Sequence, residues 1–575
     1  MYKKIRDLIL LSTILVASNA YAQQQGSLPS AVAGQVIVGF VPGAPGLAVA
    51  NAHRQAGAVP MQTPAAQALA AINATVVRVG SGNVTAAIAS YESNPNVLYA
   101  EPNYLRAIIP DEGEDPPWPV GLGIDYFAEQ YGLNNTGQSF FYDPYTAIPG
   151  AISGIPDADI DAPEAWELNT GSSSVVVAVL DSGVDCAHAD FVGKCVDEIN
   201  LGPSPTLADD IGHGTHVAGI IGANGNNGIG VAGVGWYTSI AAIKVCYEEY
   251  DIFLGLIGLC DAAASAAGMI HAADQGYQVI NMSYGGPEGS IAEQNAAAYA
   301  WGEGVVLVAA AANAYSNTQM YPAAFPDVMA VAATDYYDNL AGFSSFGNTW
   351  VSIAAPGDTI FGTLPHAACG LPQGDPDGCY GWLSGTSMAS PMVAGAAAVV
   401  WSHQGGAATN VSVKDALEAN ADVTGALGQN MQAWTQNGRL NLLAALENAG
   451  GGAPPPPPPP AGDPGIHVGD LDGSSMNAGS TWMAEVIVTV HDENGAPVAG
   501  VSVSGSWTGG VISAGDCPSL TNASGQCTVV SSPLAKKIGG ANFSISNLSG
   551  ASPYQSAAND DPDGDSDGTN ITVVK

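Results

Sequence analysis

An α/β fold, a parallel sheet covered by helices, is predicted for the middle of this chain by two observations. Continuous apolar runs recur at 174–180 (SVVVAVL), 239–245 (SIAAIKV), 277–283 (YQVINMS), 305–313 (VVLVAAAAN) and 328–334 (VMAVAAT), as in strands buried on both faces. Ala-rich stretches with the composition of helices lie between them at 261–274 and 291–304, and this alternation builds a parallel sheet with helices against it. Ligands then gather at the carboxyl ends of the strands. A small α+β unit is predicted before this region and an all-β sandwich after it.

The order along the chain follows from local signals. Residues 1–22 combine a basic start (MYKKIRD), a short apolar run (LILLSTILVA) and an AYA end, which reads as a secretory signal peptide. No later stretch is long and apolar enough to span a bilayer, so an exported, secreted protein without a membrane span is expected. Residues 26–110 hold two strand-like runs, GQVIVGF and TVVRVGS, and a helix-like run, GNVTAAIASYESNP; their position before the large domain (111–449) reads as a removable pro-segment. Residues 450–464 contain seven consecutive prolines, a stiff polyproline II linker. Beyond it, 465–575 alternates as strands do in AEVIVTVHDENGAPVAGVSVSGSW, with length enough for an immunoglobulin-like sandwich.

Composition narrows the partners. Acids outnumber bases 52 to 13, for a formal charge of −39; nucleic acid is excluded as a partner, because phosphates require Lys and Arg. The acidity reads either as solubility in salty surroundings or as an ordinary solvated surface. Eight cysteines fall into near neighbours, Cys186 with Cys195, Cys246 with Cys260, Cys369 with Cys379, and Cys517 with Cys527. In an exported chain this reads as disulfides, with adjacent pairing the simplest connectivity. Zinc is the rival reading, disfavoured because no C-x-x-C spacing occurs.

The stretch GHGTHVAG (212–219) places His213 and His216 three positions apart. The pair reads as metal ligands, as one base beside one packed histidine, or as two buried side chains. The metal reading lacks the H-E-x-x-H pattern. Asp181 ends an apolar strand in LDSGVD, and Ser387 stands in SGTSMASPMVAG, where a glycine turn enters an apolar helix. A serine nucleophile needs a base, and that base needs an acid to hold its tautomer; the chain order Asp, His, Ser is one of the known orders. At a helix start the backbone N–H of Ser387 would favour an oxyanion, with Asn313 as a second donor. Taken singly, each of these residues reads as a turn or a helix cap.

These motifs together carry a resemblance. VAVLDSGVD, GHGTHVAGIIG and LSGTSMASPMVAG, with VINMSYGG (279–286) and AAAANA (309–314), make residues 115–448 resemble the subtilisin-like serine proteases (subtilases), and among them thermitase-like and proteinase K-like secreted enzymes. The resemblance implies endopeptidase activity on proteins or peptides through an acyl-enzyme, with Ser387 as nucleophile, His213 as base and then acid, Asp181 orienting it, and Asn313 in the oxyanion hole. It implies that Ser283, Tyr284, Gly285 and Gly286 form an edge on which an extended substrate pairs, and that Gly286 and Ala311 wall the pocket before the scissile bond. Met320 matches a position near that pocket's floor, where it either makes the pocket shallower or simply packs. A monomer is expected.

The resemblance also implies calcium. GNNGIGV (225–231) is similar to the family's calcium loop, with the Asn227 side chain and the carbonyls of Gly225, Ile229 and Val231 as ligands, joined by Asp190 and Asp125; oxygen donors of this kind suit a hard cation. A glycine turn without an ion is the alternative. DPDGDSDGTN (561–570) has D-x-D-x-D-G spacing, a second candidate calcium site, but lacks a downstream bidentate Glu. Residues 34–108 resemble the family's inhibitor-like propeptide, implying an intramolecular chaperone and inhibitor that is removed by self-cleavage near 105–112. The C-terminal unit resembles bacterial immunoglobulin-like domains, which bind substrate, space the enzyme or are trimmed. The chain departs from the family pattern at Ala312, where Gly is common, at Met392, where His is common, and at Ala189, where Pro is common.

Overall fold

The computed structural model describes residues 30–108, 118–119, 126–141, 151–251, 255–372, 378–449, 466–478, 481–492 and 497–508, and beyond 512 all but 515–516, 518, 523, 550–558, 560–565 and 567–568. The expected signal peptide (1–22), the proline linker (450–464), Asp125 and most of the acidic 561–570 run lie outside the described residues. The chain divides into two compact units, 1–455 and 456–575.

The first unit opens with strand β1 (Ala31–Phe40), helix α1 (Gly46–Gln55), strand β2 (Ala74–Arg78), helix α2 (Val84–Glu92) and strand β3 (Val97–Ile108). β1 pairs antiparallel with both β2 and β3. Alternation along β1 sends Val36 and Val38 into a small core with Ala52 of α1 and Tyr91 of α2. Ile37 points the other way and joins the large domain's core, as the two-residue strand period requires. The N-terminal sheet is therefore buried on both sides.

The large domain contains β4 (Val176–Asp181), β5 (Cys195–Asn200), α3 (His213–Gly222), β6 (Ser239–Lys244), β7 (Cys246–Asp251), β8 (Gly255–Asp261), α4 (Ala262–Asp274), β9 (Val279–Met282), α5 (Ile291–Gly302), β10 (Val306–Ala310), β11 (Val328–Thr334), β12 (Ile353–Pro356) and α6 (Thr386–Gln404). Seven of these strands form one parallel sheet in the order β12-β11-β10-β9-β4-β6-β5. Every residue of β6, β9, β10, β11 and β12 is buried, which accounts for their largely apolar sequence. Val177 and Val179 face the core shared with α3 and α6, while Ala178 and Leu180 face the core shared with α4 and α5. Alanine is the commonest residue of α4 and α5. Disulfides join Cys186 to Cys195, Cys246 to Cys260, Cys369 to Cys379 and Cys517 to Cys527.

The second unit holds two antiparallel sheets. Val486 and Val488 from one and Val503, Trp507, Phe543 and Ile571 from the other share a single core, the layering of a sandwich.

The two parts of the first unit meet at helix ends. Glu101 on β3 accepts hydrogen bonds from the Ser290 hydroxyl (2.8 Å) and from the N–H groups of Ile291 (2.8 Å) and Ala292 (2.9 Å) at the start of α5. Asn103, two residues on, accepts from the Ala263 N–H (3.0 Å) at the start of α4 and donates to the Asp261 cap (3.1 Å). A carboxylate on free helix N–H groups is stabilised by charge as well as by hydrogen bonding. Glu101→Ala is expected to lower the unfolding free energy of the uncleaved chain by roughly 2 kcal/mol, read by urea denaturation, because three donors lose their acceptor.

Candidate active site

Two neighbouring strands set the site. In the parallel pairing of β4 with β9, Leu180 lies opposite Met282, so Asp181 and Ser283 follow at adjacent strand ends, about 4.8 Å apart in the sheet direction. Asp181 is fully buried. Its Oδ1 accepts from the Ser182 N–H (2.7 Å) and lies 2.8 Å from His213 Nδ1. That contact fixes the ring and leaves Nε2 buried without a hydrogen-bond partner. His213 is the first residue of α3.

Asp209 organises the approach to α3. Its carboxylate accepts from the Gly212 N–H (2.8 Å), the Thr215 N–H (2.8 Å), the Thr215 hydroxyl (2.6 Å) and the Ser182 hydroxyl (2.7 Å). Ser182 Oγ in turn accepts from the Gly214 N–H (2.9 Å), tying the two loops together. The glycines of the motif serve this approach: Gly212 has a φ of +88°, and a β-carbon on Gly214 would lie 2.1 Å from the Gly183 carbonyl oxygen. An acid just ahead of a helix start is the local sequence signal for this capping role.

His216 is also fully buried, with Nε2 3.3 Å from the Gly381 carbonyl. Burial pushes its pKa down to about 3, so its ring is neutral. The two histidines therefore occupy different environments, one on a carboxylate and one in the core.

Ser387, the second residue of α6, is bound to Ser283 in both directions: its hydroxyl donates to the Ser283 carbonyl (3.1 Å), and the Ser283 hydroxyl donates to the Ser387 carbonyl (2.9 Å). The expected alignment of the Ser387 hydroxyl on His213 is not made in this structure, because the hydroxyl proton is given to the Ser283 carbonyl instead. Asn313 stands three residues beyond the end of β10. Its Oδ1 accepts from the Thr386 N–H and hydroxyl (both 2.9 Å), which turns its Nδ2 outward. A point one bond from the Gly385 α-carbon lies 3.1 Å from Asn313 Nδ2 and 3.5 Å from Ser387 N, so the two donors converge. The parts for acyl transfer are together: a hydroxyl, an oriented imidazole and two N–H donors.

Of the expected cleft residues, Ser283 is fully buried and Tyr284 nearly so, its hydroxyl 2.8 Å from Ser265 Oγ. Gly285 exchanges both backbone hydrogen bonds with Ala107 of β3 (3.0 and 3.2 Å), and β8 pairs with the other edge of β3. Residues 105–108 thus run as the central strand of three. Gly286 pairs with Tyr321. Ala311 and Met320 are buried in the same apolar cluster.

The expected calcium ligands form a closed loop around Asp190. Its Oδ1 accepts from Asn227 Nδ2 (2.9 Å), and its Oδ2 accepts from the Val231 N–H and the Tyr380 hydroxyl (both 3.0 Å). Asn227 Oδ1 accepts from the Ile229 N–H (3.2 Å), so the Asn227 amide presents its nitrogen to Asp190, not the oxygen expected of a ligand. Gly225 and Ile229 complete the loop. Among the described residues no cluster of three or more acidic, histidine or cysteine side chains is arranged to hold a metal, and no helix is long and apolar enough to cross a membrane.

Comparison with known proteins adds to this geometry. Residues 172–445 match the subtilase family, and residues 17–103 match the fervidolysin N-terminal prodomain. A thermophilic serine proteinase of Bacillus sp. (strain AK1) is 36% identical over 363 residues, 63% of this chain and 75% of that one. Thermitase of Thermoactinomyces vulgaris is 39% identical over 291 residues, half of this chain and 94% of that one. The crystal structure of fervidolysin from Fervidobacterium pennivorans superposes with a TM-score of 0.54 at 25% identity, covering 90% of this chain and 71% of that one.

Ala312, where the family pattern has glycine, has a φ of +73°. A β-carbon in the left-handed region costs about 1 kcal/mol or more. Ala312→Gly is expected to raise unfolding stability by about 0.5–1 kcal/mol, visible as a higher midpoint in denaturant; a loss of stability would contradict the strain.

Proposed function

The chain belongs to the subtilase family of serine proteases, and from that premise we propose that it is a secreted endopeptidase made as a self-processed zymogen, with Asp181, His213 and Ser387 as its triad. The observation that carries the reading is the pair of adjacent strand ends, Asp181 holding His213 and Ser283 holding Ser387. A substrate carbonyl entering beside Gly385 would draw the Ser387 hydroxyl from Ser283 toward His213 Nε2. Ser387 Oγ then bonds to the carbonyl carbon while Nε2 takes its proton. The oxyanion falls between Asn313 Nδ2 and Ser387 N, each such donor being worth roughly 3–4 kcal/mol of barrier. His213 returns the proton to the leaving amine, and water releases the acyl group by the same steps in reverse.

In this reading residues 1–22 direct export, 26–110 are the prosegment, 111–449 the catalytic domain, 450–464 a spacer and 465–575 an immunoglobulin-like domain. The prosegment strand pairs with Gly285 as an extended substrate would, so the uncleaved chain is its own inhibitor. Protein substrates and this prosegment are the partners. Ser387→Ala is expected to leave the chain uncleaved and to abolish fluorophosphonate labelling while the fold persists by circular dichroism. Labelling that survives the substitution, or none in the processed wild type, defeats the assignment.

A calcium ion fits the 225–231 loop by the chemistry of its donors: the carboxylate of Asp190, the Asn227 side chain, and the carbonyls of Gly225, Ile229 and Val231, with Asp125 as a further acid. All are oxygens or become so once the Asn227 amide turns over. The ion would hold this loop. Removing it with EGTA is expected to lower the melting temperature of the uncleaved Ser387→Ala chain, with recovery on adding Ca2+ and a smaller shift in an Asp190→Asn background. An unchanged melting temperature rules the ion out.

A further inference from the structure

Arg106 of the prosegment strand and Glu293 in the first turn of α5 form an ion pair whose side chains are both wholly buried. Arg106 lies opposite Cys260 in the register of β3 with β8. On its other side it passes over Gly286: a β-carbon there would lie 3.4 Å from Arg106 Nη1 and 3.5 Å from its Cδ. The arginine stem thus fills space that Gly286 leaves open, and its guanidinium reaches Glu293 through Nη2. Arg106 Nε and Glu293 Oε1 make no hydrogen bonds. A buried pair with unsatisfied atoms stabilises a fold no better than an apolar pair of the same volume, so a purely structural role does not account for it.

The register sets where this pair lies in the reaction. Ala107 pairs with Gly285, and Ser283, two residues earlier on the enzyme strand, holds Ser387. In an antiparallel pair, the partner of Ser283 comes two residues after the partner of Gly285. A substrate in this register therefore has the residue opposite Ser283 at the scissile bond, and the residue at the Arg106 position is fourth upstream of that bond. We infer that Glu293 makes the cleft select a basic side chain, arginine above lysine, at the fourth residue upstream of the scissile bond. This rests on the peptidase reading of the cleft. Departure of the prosegment leaves Glu293 at the base of the subsite, and its free Oε1 with Oε2 matches the two-pronged guanidinium, which a lysine ammonium does not.

The test uses the processed wild-type protein and a fluorogenic peptide series that differs only at the fourth upstream residue: Arg, Lys, norleucine or Glu. Expected is a kcat/KM for Arg at least tenfold above norleucine, with Lys between them and Glu lowest. Glu293→Leu is expected to bring the Arg-to-norleucine ratio to one or below. Because that substitution alone strands Arg106 in the zymogen, the matched Arg106→Met/Glu293→Leu chain supplies the same measurement. Fluorophosphonate labelling separates the two ways of failing. A labelled enzyme that does not favour arginine overturns the subsite; a processed protein that takes no label overturns the catalytic reading beneath it.

Discussion

The parallel pairing of Leu180 with Met282 puts Asp181 and Ser283 side by side at the carboxyl end of the sheet, and the rest of the site hangs from those two strand ends. Asp181 carries His213, and Ser283 carries Ser387. A slip of one residue in this pairing would send Asp181 to another level and part the two halves of the constellation. The register is held because both faces of β4 are buried, so a slip would also move Val177, Val179, Ala178 and Leu180 into the wrong cores.

The helix starts gather at the same end of the sheet. α3 begins at His213 and α6 at Thr386, one residue before Ser387, so the positive helix ends lie beside both side chains. Asp209 takes up donors at the start of α3, and Asn313 takes the Thr386 N–H at the start of α6. The N-terminal segment exploits the remaining helix starts. Glu101 and Asn103 lie on one face of β3 at the strand period, and together they satisfy the ends of α5 and α4. A segment that caps helices while its end strand completes a sheet ties itself to the large domain at both places.

Much of the site was legible before folding, for identifiable reasons. Asp181, His213 and Ser387 stand where apolar periodicity breaks at a polar residue flanked by glycine, and such breaks have few structural explanations when three occur in order. The α/β alternation was equally visible, since strands buried on both faces carry few polar residues to blur them. The histidine pair was harder. His213 and His216 share one glycine-rich helix turn, and the carboxylate facing one and the core around the other come from segments 32 and 165 residues away. The role of Asp209 was not legible, because capping depends on the loop that brings it back over the helix start.

What the sequence by itself determined is the order of elements and the candidate chemistry-bearing residues, both of which depend on local pattern, while the cysteine pairing it suggested was fixed by the structure. What only the tertiary structure decided are the contacts between distant segments. These include the turn of the Ser387 hydroxyl toward Ser283, the left-handed backbone at Ala312, the Asn227 amide facing Asp190 with its nitrogen, and the burial of Arg106 on Glu293 across 187 residues of chain. The physical reason is that hydrogen-bond direction and charge pairing are settled by whichever partner lies within about 3 Å, and sequence separation carries no information about that distance.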